Sequence, residues 1–82
     1  MTLNELQEKY HYKIVRFRDD CDKYSDLPRV VYKVTACLEW QDEFVFAIIA
    51  TNYTPENKRW YTFKFNTLEE LEEVTKNFEV IG

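Results

Sequence analysis

The sequence predicts a small α+β domain spanning residues 1–82, with a four-stranded antiparallel meander sheet packed by a C-terminal helix. A short N-terminal helix precedes the sheet, so the expected order is αββββα. Three observations carry this expectation. The chain has 82 residues, enough for one domain. The same four-residue signature, T-L-x-E, opens an apolar-periodic segment near each end of the chain. Between those segments the hydrophobic period changes from 3.6 to 2.

Thr2-Leu3-Asn4-Glu5 and Thr67-Leu68-Glu69-Glu70 are both capping boxes. In each, the Thr hydroxyl accepts from the amide three residues on, and the Glu there reaches back to the cap's own N–H. Leu3, Leu6 and Tyr10 then fall on one face of a helix predicted over Leu3–Lys9. Leu68, Leu71, Val74 or Thr75, and Phe78 do the same for a helix predicted over Leu68–Asn77.

The strands follow from alternation. Tyr10–Arg18 is β-branched and aromatic with interleaved cations. Arg29–Trp40 places Val30, Tyr32, Val34, Ala36, Leu38 and Trp40 on one face. Glu43–Tyr53 is apolar on both faces, as in a central strand covered on both sides. Arg59–Phe65 alternates Tyr61, Phe63 and Phe65 with Trp60, Thr62 and Lys64. Short polar connections make neighbouring strands antiparallel, and the tail Phe78-Glu79-Val80-Ile81 can add a short edge strand. Gln41-Asp42-Glu43 lacks the Asn-Gly signal of a two-residue turn, so a hairpin loop of odd length is expected there. That register sets Phe44, Phe46 and Ile48 on the face of Tyr32, Val34, Ala36 and Leu38, beneath the C-terminal helix.

Composition narrows the function classes. Apolar residues make up 45% of the chain, with two Trp, six Tyr and six Phe, too hydrophobic a mixture for disorder. One Gly and two Pro exclude a collagen or linker protein. No apolar run reaches the roughly 18 residues of a membrane span, and the N-terminus has no signal-like basic-then-apolar layout. Cys21 and Cys37 are in no metal-binding spacing, and His11 is the sole imidazole, too few ligands for structural zinc. Two reduced thiols in a cytoplasmic protein are expected, in the host-cell cytoplasm if the protein is phage-encoded. Asp20 and Asp22 begin a calcium-loop pattern, but Tyr24 and Ser25 break it, leaving a polar loop. There is no phosphate-binding Gly loop, no nucleophile elbow and no catalytic His pair, so no enzyme activity and no cofactor or metal is expected.

The net charge of −4 is unevenly placed. Residues 1–28 carry −1, residues 29–65 carry +1, and residues 66–82 carry −4. Acids therefore concentrate on the last helix, while cations and aromatics share the strands. This combination predicts a small acidic non-enzymatic binding protein. The expected type is an inhibitor of the kind phages and mobile elements encode, anti-CRISPR-like or nuclease-inhibitor-like, or a toxin-neutralising immunity protein. Its expected partner is another protein, basic or nucleic-acid-handling, with a homodimer as a further option. The alternative is a nucleic-acid-binding module that uses the cationic, aromatic face of its sheet. Candidate partner-binding residues are Glu69, Glu72 and Glu73 on the acidic helix, and Tyr53, Lys58, Arg59 and Trp60 before and within the last predicted strand.

Overall fold

The computed structural model describes residues 1–57 and 59–82. Its elements are α1 (Leu3–Tyr10), β1 (Ile14–Phe17), β2 (Tyr32–Trp40), β3 (Glu43–Ala50), β4 (Trp60–Phe65), α2 (Leu68–Thr75) and β5 (Phe78–Val80). The five strands form one antiparallel sheet in the order β4-β3-β2-β1-β5. The α+β architecture is as expected, with the tail supplying the fifth strand. Helix α2 carries the chain back from β4, at one edge, to β5 beside β1, at the other. Among the described residues no helix is long and apolar enough to cross a membrane.

Both helices begin where the capping signatures place them. The Thr2 hydroxyl accepts from the Glu5 amide at 3.2 Å, and the Glu5 carboxylate accepts from the Thr2 amide at 2.9 Å. Those bonds hold the Glu5 carboxyl below its ordinary range. Thr67 accepts from the Glu70 amide at 3.2 Å, but the Glu70 carboxylate turns to the Thr67 hydroxyl instead of the backbone. The predicted strand Tyr10–Arg18 is shortened at its start. Tyr10 closes α1, the His11 amide caps back to Gln7, and Tyr12 at φ 63° turns the chain into β1.

One face of the sheet holds the core. Leu6 and Tyr10 of α1, Leu71 and Val74 of α2, and Phe78 of β5 bury themselves against Val15, Phe17, Tyr32, Val34, Cys37, Phe46 and Ile48. The ring of Phe46 is the hub, with centroids at 6.4 Å from Tyr10, 5.5 Å from Phe78 and 6.5 Å from Phe63. The segment between β1 and β2, read from sequence as a plain polar loop, folds onto the same face. Tyr24 sits 5.2 Å from Phe63, and the Arg29 guanidinium lies 4.3 Å over Phe17. Arg29 also donates to the Lys23 carbonyl at 3.1 Å, while the buried Tyr32 hydroxyl donates to the Pro28 carbonyl at 2.7 Å.

The β2–β3 hairpin corrects the expected loop. Trp40 pairs with Glu43, so the turn is two residues long, Gln41-Asp42, with φ of 50° and 65°. These left-handed values are what a type I′ turn requires. Such a turn alone would have put Phe44, Phe46 and Ile48 on the face opposite the helices. A β-bulge between Val34 and Ala36 restores them: Val34 pairs with Ile48 and Cys37 with Phe46. The Thr35 hydroxyl donates to the Ala47 carbonyl at 3.3 Å inside the irregularity. Beyond the bulge the faces of β2 exchange, so Cys37 points into the core while Ala36, Leu38 and Trp40 point to the other side. Left-handed Gln and Asp are unfavourable compared with Asn and Gly. The double substitution Gln41→Asn/Asp42→Gly is therefore expected to stabilise the fold by about 1 kcal/mol, read as a raised urea midpoint; a lowered midpoint would sink this account of the turn.

Candidate protein-binding face

The face of the sheet away from the helices carries no covering element among the described residues. Strand pairing builds it in rows: Leu38, Val45 and Lys64; Ala36, Ala47 and Thr62; Lys33, Ile49 and Trp60. Val45 and Ala47 are buried, yet they belong to this face and not to the core cluster, because their neighbours on β2 and β4 shield them. The central strand is thus covered by helices on one side only, where the sequence pattern suggested both. At two diagonal corners stand Trp40, 64% exposed, and Trp60, 60% exposed. They are the two tryptophans of the chain. Between the Glu43 and Ile49 positions beside them run six steps of β3, or about 20 Å, and two strand spacings separate them laterally, roughly 10 Å. Aliphatic side chains fill the interval, with Lys33, Lys64 and the Arg16–Glu79 ion pair around it. A flat apolar centre with aromatic anchors and a charged rim is the anatomy of a protein interface.

The structure distributes the sequence-predicted site residues over both sides. Trp60 lies on the open face. Arg59, one residue earlier, is half-buried on the helix side. Tyr53 is 38% exposed in the β3–β4 connection, its amide bonded to the Ala50 carbonyl at 2.9 Å. Lys58 lies outside the described residues. The acidic group on α2 does not present one surface. Glu72 is half-buried and accepts from the Met1 amino group at 3.3 Å. Glu73 pairs with Lys76 at 3.0 Å, three residues on. Glu69, Glu70 and Glu73 instead border a cleft of about 280 Å³ with Lys23, Tyr24 and Phe65. The acids and Trp60 are consequently on opposite sides of the sheet. Trp40, which completes the open face, is not among the residues the sequence singles out.

Nucleophilic groups are not gathered. Cys21 and Cys37 are both free thiols. Cys37 is fully buried, and burial pushes its thiol up to about 11. Cys21 is half-buried, its thiol 3.4 Å from the Asn77 side-chain oxygen. Among the described residues no three His, Cys, Asp or Glu side chains converge as a metal site would need. A disulfide-exchange reagent at about pH 8 should label Cys21 in the native protein and Cys37 only on unfolding, because the thiolate is the reactive species. The folded-state value of Cys37 lies above the ordinary thiol value of 9.0. Its protonated form thus stabilises the fold below pH 9, and that contribution fades as pH rises toward 11. Native-state labelling of both thiols at equal rates would contradict this placement.

Comparison with protein-family models, with curated proteins and with solved structures finds no match.

Proposed function

We propose that this chain is a small non-enzymatic binding protein of the inhibitor type, which seats a partner protein on the open face of its sheet. The observation that carries the reading is the pair of exposed tryptophans framing an uncovered apolar strip. Trp40 and Trp60 act as anchors, the half-buried Leu38 and Ile49 as the apolar centre above the shielded Val45 and Ala47, and Lys33 and Lys64 as rim contacts for acids on the partner. The acids of α2 lie behind the sheet and contribute to the field of the whole molecule. They speed encounter with a partner of positive net charge while remaining outside the contact.

A nucleic-acid reading is less well supported. Single-strand binders stack successive bases on aromatics within a basic groove. Here the two indoles are separated by a strip of aliphatic side chains, and the net charge is −4.

The two tryptophans are also the test. Because both lie on the face in question, intrinsic fluorescence reports it directly. A partner that docks there should shield both indoles from acrylamide. Trp40→Ala and Trp60→Ala should each weaken binding by about 2 kcal/mol, roughly 30-fold in Kd, while changing unfolding stability by less than about 1 kcal/mol. A partner complex in which both indoles stay fully quenchable would overturn the reading. So would single-stranded oligonucleotide binding that protects them and weakens steeply with salt.

A further inference from the structure

The sheet has two edges, and they are not alike. β5 is three residues long, whereas β4 runs six residues without proline or bulge and carries one charge, Lys64. The Ala50 amide donates to the Arg59 carbonyl at 2.8 Å. That bond fixes the alternation along β4. Tyr61, Phe63 and Phe65 bond to β3, and Trp60, Thr62 and Lys64 turn their N–H and C=O groups outward. Among the described residues, no backbone bond outside the sheet engages those three. A regular strand edge of this kind is a template for another strand.

We infer that β4 pairs with β4 of a second copy of this chain, antiparallel about a two-fold axis through Thr62, to make one continuous ten-stranded sheet. The sequence of the strand is complementary to its own reverse in this register. Trp60 falls opposite Lys64 of the second copy on the open face, a cation–π pair that forms twice. Thr62 meets Thr62. On the helix side Tyr61 falls opposite Phe63 and Arg59 opposite Phe65, so the half-buried aromatics of β4 gain cover. Centring the axis on Lys64 instead would oppose two ammonium groups, and centring it on Phe63 would put Trp60 opposite Asn66. Thr62 is the centre that leaves no like charges facing and uses the whole strand. An isologous contact of this type closes on itself and propagates no further. Pairing also sets the two open faces side by side, and so doubles the surface available to a partner; the pairing itself stands independently of the function proposed above.

Sedimentation equilibrium of the full chain over a wide concentration range tests the pairing. The expected result is a mass rising toward twice the 10.0 kDa of one chain. Thr62→Pro removes an outward N–H that no bond among the described residues uses, and should return the mass to that of one chain with circular dichroism unchanged. Should the proline variant fold poorly, Thr62→Lys places like charges on the axis and should have the same effect. In a Cys21→Ser background, Thr62→Cys should oxidise to a covalent dimer, since bonded cross-strand positions lie within disulfide reach. A wild-type mass that stays at 10.0 kDa at the highest concentration overturns the inference. A dimer that survives both Thr62→Pro and Thr62→Lys overturns the assignment to β4, as does a dimeric Thr62→Cys protein that forms no cross-link.

Discussion

Phe46→Ala is expected to lower the unfolding free energy by about 3–5 kcal/mol, the usual cost of truncating a fully buried Phe. Phe46 has no exposed surface, and its ring lies within 6.5 Å of the rings of Tyr10, Phe63 and Phe78. It therefore joins α1, β4 and β5 to the central strand. At the usual 0.05–0.15 kcal/mol per residue, a chain of 82 residues holds roughly 4–12 kcal/mol in all. The substitution thus removes about a quarter or more of the stability, and at the lower end of that range it unfolds the protein outright. Urea denaturation followed by circular dichroism measures this directly. A shift below about 1 kcal/mol would mean that Phe46 is not the hub of the core.

The same residue shows how far the sequence can be read. Phe46 is expected beneath the helix, and it is there, but for a reason the sequence does not display. A two-residue turn at Gln41-Asp42 and a bulge at Thr35 each shift the register by one, and together they cancel. Neither is signalled by residue type, since Gln-Asp is a poor type I′ pair and Thr-Ala-Cys contains no Gly. The cancellation preserves the inner face of β3 and inverts the outer half of β2. Ala36 and Leu38 thereby move from the expected core to the open face, which the alternation pattern alone does not reveal. One signal is present: two helices of eight residues cover one side of a five-stranded sheet, and a strand as apolar on both faces as β3 must then turn one of them to the side without helices, where the flanking strands shield it. The helix starts are legible because caps act locally, through bonds three residues apart. The acidic triad is not legible as a surface, since Glu72 lies one turn from the buried Thr75 and leans toward the N-terminus, while Glu69 and Glu73 face away.

Leu71→Ala is expected to cost about 2–4 kcal/mol. Leu71 is fully buried at the centre of α2, between Leu68 on one turn and Val74 on the next. A helix of eight residues has little stability of its own, because nucleation is costly and few backbone bonds follow it. The Thr67 cap helps to start the helix, but burial of Leu71 and Val74 keeps it folded. The response of the tryptophans makes this prediction specific. Trp40 and Trp60 lie across the sheet from α2, so the emission of the native state should be unchanged even as the urea midpoint falls. If Leu71→Ala instead shifts native tryptophan emission, the open face depends on the helix behind it, and the two sides of the sheet are coupled. If the midpoint does not move, α2 is not part of the core.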